Sequence, residues 1–588
     1  MKHRFPLLTA ALVFSSFIAQ TQTKSNSPVF QIGHFDRSSV EFAEGTPKEP
    51  VDFRVGSSTP KDWYAVQPAV LAPEAGSTKS DAASAPRSIT FSLSQPPGAV
   101  YRLHVALLIE SASVPILRVG INTRHGVFYL HPKLDFNGGD SVGLFYPAYS
   151  RADVEFDFPG SFLQRGENRI TFQAVLDSRH AVPDAGLTYD AIKLDRESGA
   201  HSRVDSSKPL LVPTIFYRQR SGGLDELVDL YIRYLKQPKS NGQAKLAIAG
   251  KTYVEAMHTT ADFGEEKVEF AVPEFPAQTH AKVDWAMADK REHMDATIDP
   301  KKKWTLLLVP HIHVDVGYSD YQGKVASIQS RALEEAMEMT AAHPDFKFST
   351  DGSWNIEQFM KTYSPAQKQQ LITAIQKKQI YVPAEYANLL TGFPTAETLI
   401  RSLYPSANFS REHATPLNYA NITDVPSYTW SYASILSAAG IHYLAAGSNN
   451  DRGPVLLQGR LNENSPFWWE GPDGKKVLFW YSRIYQQMQM LFGLPPLLSA
   501  GHDTLPLFMQ QYERPGYRAN AVILFGTQVE NTDLFPQQPE LAQQWNSRYA
   551  YPRLAYSGFY DAMKDIQNQF GQDIPTVAAT EVLTGRTA

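Results

Sequence analysis

At Trp304 the chain changes rhythm, and that change limits its fold more than any other feature of the sequence. Before it, short alternating segments such as 101–109 and 116–121 lie between turns rich in Pro, Gly and Ser, with no helical pattern of any length. Period-two alternation broken by frequent turns specifies half-buried strands, and strands of that kind build sandwiches. After it, apolar runs at 304–309, 346–350, 380–383, 442–446, 477–481 and 521–525 alternate with amphipathic stretches. Val325, Ile328, Ala332, Ala336 and Met339 fall on one helical face. Ser364, Pro365 and Gln367 make a capping box with proline at the first helical position. Residues 428–439 run into Gly440, a helix end with glycine just beyond it. Strand and helix in alternation require a parallel sheet or barrel with helices outside. The expected fold is therefore multidomain: two N-terminal β-sandwiches, then an α/β (β/α) barrel-like domain.

A chain of 588 residues holds several domains at about 150 residues each. The sandwiches are expected at 28–200 and 208–300 and the α/β domain at 304–588, with 299–303 as a charged linker and 72–86 as a surface loop. Residues 1–22 have the form of an export signal: Lys2, His3 and Arg4, then an apolar core from 6 to 19, then Gln20 and Thr21. That core is too short to span a membrane, and no later span is seen, so the expected location is periplasmic or extracellular. With no cysteine there are no disulfides and no thiolate ligands, and any metal must be held by His, Asp or Glu. The net charge of −5 speaks against nucleic acid and anionic membranes as partners. Aromatic content of 12% suits sugar clefts and sandwich cores alike. Oligomeric state is not encoded in any pattern here.

The chemistry-bearing stretch is His311-Ile312-His313-Val314-Asp315-Val316, directly after the apolar run 304–309. In an extended chain the residues at i, i+2 and i+4 share a face. His311, His313 and Asp315 would then converge where a strand ends, the place where α/β folds carry their working groups. Two imidazoles and a carboxylate suit zinc or a similar divalent ion. The bland alternative is a pair of loop histidines beside a turn aspartate.

Two resemblances add to this. Ile32-Gly33, Phe35-Asp36, Phe53 to Gly56, Lys61-Asp62-Trp63, Phe156 to Pro159, Gly166-Glu167-Asn168 and Tyr189 to Leu194 resemble the carbohydrate-binding-module-like C-terminal domain of rhamnogalacturonan lyases. That resemblance implies a sandwich scaffold and, as a minority reading, a ligand site. Val309 to Tyr318 resembles the V-P-H-S-H-N-D-x-G-W motif of the glycoside hydrolase family 38 N-terminal domain, the α-mannosidases. Asp424 within Thr423-Asp424-Val425-Pro426, the hairpin Trp469 to Gly474 and the segment Glu397 to Arg401 also resemble that family.

The second resemblance implies zinc on His313 and Asp315 and a sugar stacked on Tyr318. In the family an Asp of the W-V-x-P-D-E-x-N motif is both nucleophile and metal ligand; here Ala384 stands in its place, with Glu385 one position on. Glu385 is thus the candidate nucleophile, its alternative a merely structural glutamate. Glu530 and Asp533 are candidates for the acid, the alternative for Asp533 being a capping role in an N-T-D turn. Asp351 and Asp424 are expected to line the cleft. A further family histidine comes from a helical region beyond this domain, and with the chain ending at Ala588 His311 would have to substitute for it. The leading expectation is an exported zinc-dependent glycoside hydrolase acting on a carbohydrate substrate. The others are a non-catalytic carbohydrate-binding protein and, third, a polysaccharide-lyase relative.

Overall fold

The computed structural model describes residues 28–578 apart from 72–80, 110–111, 133–140, 143–145, 148–149, 177–184, 198–208, 236–241, 259–260, 288–289, 426–427, 449–464, 483 and 527–530. The export-signal segment and Glu530 lie outside the described residues.

The first third folds as the alternation requires. One sheet runs Pro28–Gly33, Gly186–Glu197, Val100–Ile109, Ser150–Pro159. The facing sheet contains Asp52–Arg54, Arg87–Leu93, Gly166–Leu176, Ile116–Ile121 and Arg124–Phe128. Their inner faces share one apolar core. Trp63 is buried there, edge-on to Tyr189 with ring centroids 5.2 Å apart. Asn168 closes the Gly166 turn by accepting the Gln164 amide at 2.8 Å and donating to the carbonyls of Gln164 and Gly166. These motif residues therefore serve the scaffold. The stretch expected as a surface loop is partly interior, since Ala83, Ser84 and Ala85 are buried. The amides of Gln67 and Gln173 donate to the carbonyls of Ala85 and Ser84 and so seal that backbone inside.

The second sandwich packs Leu210–Arg220, Gly223–Tyr234 and Phe263–Pro273 against a four-stranded sheet of Lys251–Met257, Gly242–Ile248, Thr279–Met287 and Lys290–Ile298. It is not a separate bead. Phe263 and Gly264 pair in parallel with Gly126 and Val127, so one nine-stranded sheet runs through both modules. The join needs its glycines: a Cβ on Gly126 would meet the Phe263 ring at 2.3 Å, and Gly264 has φ +119°. The charged linker is equally fixed. The Lys301 amide donates to Glu226 at 2.8 Å, and Lys302 Nζ donates to the Ala519 carbonyl at 2.6 Å while lying over the Trp304 ring.

Beyond it, Thr305–Val309 lies in parallel between Ala521–Phe525 and Arg553–Tyr556. Phe348–Ser349 pairs with Ile380–Tyr381, and Ala420–Asp424, Tyr443–Ser448 and Lys476–Ser482 form a second parallel run. Single hydrogen bonds link these groups: the Ser349 amide to the Pro310 carbonyl, and the Ala384 amide to the Tyr419 carbonyl. The expected barrel is not found as one closed sheet among the described residues, where these strands fall into sheets of three, two and five. Helices form where the sequence marks them. Gln322–Ala342 buries Val325, Ala332 and Ala336, Pro365–Gln376 carries both bonds of its capping box, and Ser431–Ala438 stops before Gly440.

Candidate functional site

Thr305–Val309 is almost wholly buried, and its ladder ends at Pro310, which has no amide to donate. The next residues keep their alternation for a few positions. Ile312 packs with Ala332 and Leu333, and Val314 with Val325 and Trp354. His313, on the other side, is buried and faces Asp315, with Nε2 3.4 Å from Asp315 Oδ1. Asp424 ends the strand Ala420–Asp424 with φ 67°, a left-handed conformation that a short polar side chain tolerates best. Its carboxylate joins the other two: His313, Asp315 and Asp424 each offer a ligand atom, all within 4.8 Å of one another.

The imidazole is aimed by its surroundings. Nδ1 lies 2.8 Å from Asp351 Oδ2 and 2.7 Å from Thr423 Oγ1, while Nε2 makes no hydrogen bond. Asp351 is buried and itself held by Thr423 Oγ1, the amides of Asn388 and Asn421, and the Val314 backbone N–H. Burial works to raise its carboxyl, yet the hydrogen bond and charge of His313 keep it below the usual carboxylate range. For His313, burial opposes protonation but Asp315 and Asp351 outweigh it and raise the imidazole to about 10. A field that holds a proton so firmly also favours a cation. A carboxylate fixing one imidazole nitrogen while the other faces two acidic oxygens is the arrangement of metal-bound histidines. One nitrogen and two carboxylate oxygens fit zinc or a similar divalent ion, and three protein ligands leave positions for substrate. Asp315 and Asp424 are both partly exposed, so the cluster faces solvent through its acids.

Several expected roles change. His311 is not in the cluster. After Pro310 the chain changes partner, His311 bridging Ser349 in parallel, and the buried His311 ring packs against Phe525 and Phe559, with centroids 5.7 and 6.0 Å away. Gly526 (φ +59°) leaves room for that ring, since a Cβ there would meet His311 Cε1 at 2.7 Å. Asp351 does not line the cleft, being enclosed behind His313. Asp424, expected to touch substrate, joins the metal-type cluster. Glu385 is sealed off: Oε2 accepts the Asn421 amide and Oε1 the Tyr432 hydroxyl, each at 3.0 Å. Burial pushes it up to about 7, against the lowering effect of those two donors. The one-residue displacement from Ala384, itself buried in the core, turns this carboxyl away from the cluster. Asp533 is ion-paired with Arg331 at the surface. Tyr318 is exposed on the loop that leaves Asp315.

Sequence reasoning missed Thr423, Asn388 and Asn421 as the shell around Asp351, and Tyr485, whose ring centroid lies 5.0 Å from that of His313. The polar residues in Ala-Asn-Ile-Thr-Asp are the available signal, since a buried parallel strand is otherwise continuously apolar.

Comparison with known proteins gives family matches over two parts of the chain. Residues 303–580 match the family described as glycosyl hydrolases family 38 N-terminal domain, and residues 28–194 match CBM-like, polysaccharide lyase family 4, domain III. No curated protein matches the chain. Among solved structures it is similar to an α-mannosidase from Enterococcus faecalis V583, at 16% identity over 47% of this chain and 31% of that one, TM-score 0.40. A glycosyl hydrolase family 38 protein from Enterococcus faecalis shares 16% identity over 47% of this chain and 29% of that one, TM-score 0.35. This chain thus spans under a third of either neighbour's length, and scores so low add nothing to the functional argument. The two family models thus mark what the chain is similar to: a glycosyl hydrolases family 38 N-terminal domain over 303–580, just under half of the chain, and a CBM-like domain of polysaccharide lyase family 4 over 28–194.

Proposed function

We propose that this protein is an exported, metal-dependent glycoside hydrolase of the retaining α-mannosidase type, acting on the terminal sugar of an oligosaccharide or polysaccharide. The observation that carries this reading is the convergence of His313, Asp315 and Asp424 within 4.8 Å. His313 Nε2 and one oxygen from each acid would hold a zinc ion, which when bound orients and polarises sugar hydroxyls. Asp351 keeps the imidazole of His313 turned towards that position. Asp424 takes over the nucleophile's role first sought at Glu385, and would ligate the metal as well. The family resemblance makes the nucleophile a metal ligand as well, and Asp424 is a partly exposed acid of the cluster, whereas Glu385 is enclosed. A retaining mechanism has this carboxylate attack the anomeric carbon and a second carboxyl protonate the departing oxygen. Tyr318 offers its exposed ring to the sugar face, and the N-terminal sandwich, by its CBM-like match, serves attachment to polysaccharide. The charged and apolar start of the chain supports export.

Metal analysis by mass spectrometry, paired with hydrolysis of an aryl α-mannoside, tests the reading. We expect one zinc per chain, with both metal and turnover lost in Asp424→Ala; a metal-free parent chain that still hydrolyses the glycoside would refute it. A second reading, sugar binding without turnover, is favoured by the Arg331–Asp533 pair, which occupies one of the two candidate acids. Binding without hydrolysis of any glycoside tested would select it.

A further inference from the structure

The most exposed aromatic rings among the described residues stand on two short loops beside the cluster. Tyr318 is 69% exposed, Tyr321 75% and Phe393 83%, against 41% for Phe35 and 50% for Tyr404, the other exposed aromatics. Val316 and Leu390 on the same loops are exposed as well. Single exposed apolar residues are ordinary on any surface, but their concentration on two loops that both start at the cluster marks a contact surface.

Both loops are anchored to the site. The first leaves Asp315, turns with the Gly317 amide donating to the Asp315 carbonyl at 3.0 Å, and is clipped by Asn531, which donates to that same carbonyl and to Ser319 Oγ. The second starts at Asn388, bonded to Asp351 and Thr423, and turns with the Phe393 amide donating to the Leu390 carbonyl. It is held midway by Thr391 Oγ1, which accepts the Thr429 amide at 2.8 Å, five residues past Asp424. At about 3.5 Å per extended residue, Tyr321 lies within about 20 Å of Asp315, and Phe393 within about 20 Å of Asn388. That is the reach of a few sugar units from a terminal residue seated at the cluster.

The chemistry of the rim narrows the occupant. Residues 386–396 carry no charged side chain, and on the first loop Asp320 is paired with Lys324. Among the described residues of these two loops, no unpaired cation stands ready to neutralise a polyanion. An aromatic ring with an apolar face and a polar edge suits the C–H face of a neutral pyranose with its ring of hydroxyls.

We infer that Tyr321 and Phe393 form a stacking platform for the sugar units that follow the terminal one, so that the substrate is a neutral glycan chain rather than a small glycoside. The platform rests on the proposed function for the place of the terminal sugar. The test is NMR titration of the full, zinc-supplemented chain with linear α-manno-oligosaccharides of one to five units. Affinity is expected to climb about tenfold or more along that series. Combined Tyr321→Ala and Phe393→Ala, at loop positions whose loss leaves thermal unfolding unchanged, is expected to flatten the climb while single-mannose binding stays the same. A climb that persists in the double variant, or a parent chain that binds mannose with no gain from length, overturns the platform. Binding of no mannose at any length overturns the proposed function, and the platform with it.

Discussion

Asp351 and Glu385 are both buried acids, carried just beyond two neighbouring parallel strands, yet burial leaves them in opposite states. Asp351 meets an imidazole and stays below the ordinary carboxylate range. Glu385 meets a backbone amide and a phenol and is pushed up to about 7. Burial alone disfavours the charged form of either; a partner that can carry positive charge reverses the balance, and neutral donors do not. The difference sorts their roles. Asp351 stays ionised and orients the site, while Glu385 braces the strand that ends at Asp424 by holding its Asn421 amide.

The largest effect expected belongs to the cluster that Asp351 serves. His313→Ala should abolish stoichiometric zinc and turnover together, read by metal analysis and glycoside assay; zinc retained at full stoichiometry would break the comparison at its root. Asp351→Asn keeps the shape but removes the charge. It should weaken zinc binding by about 10–100-fold, the usual loss when the group behind a ligating histidine is changed, as competition with a chelator would measure. Glu385→Gln should leave zinc affinity unchanged and alter the pH dependence of folding instead. Because its folded value lies above its unfolded one, Glu385 contributes its full stability below about 4.5 and loses it as pH rises to about 7. Denaturant unfolding of parent and variant across that window should therefore differ in slope by about 3 kcal/mol in total; parallel curves would show that Glu385 is not the neutral member of the pair. The smallest effect is expected at Asp533→Asn. An exposed ion pair with Arg331 contributes about 1 kcal/mol or less, so thermal unfolding should barely move. Collapse of turnover in that variant would instead make Asp533 the proton donor.

How far the sequence could be read differs between the same two places. The alternation of the first 300 residues, the capping box at Ser364 and the strand 521–525 needed only local rules, and each element formed. So did the pairing of His313 with Asp315, because two residues in extended chain share a face without help from elsewhere. His311 obeys the same spacing, but it bridges Ser349 while Phe525 and Phe559 claim its ring, and neither fact is local. Asp424 reaches the cluster from a strand more than a hundred residues downstream, through a backbone conformation unusual for a non-glycine residue. A motif match could put it near the cleft, but only the tertiary assembly, with Thr423 bonded to both His313 and Asp351, makes it a neighbour of Asp315. The continuous sheet through both sandwiches was invisible for the same reason: it depends on a two-residue pairing between Phe263-Gly264 and Gly126-Val127.

The decisive measurement is the position of zinc in anomalous diffraction from crystals of the zinc-loaded chain. We expect one peak about 2.0–2.2 Å from His313 Nε2 and from one oxygen each of Asp315 and Asp424, with Asp351 behind the imidazole. Zinc bound elsewhere, or bound here with the Asp424 carboxylate turned out of its shell, would contradict the site as drawn.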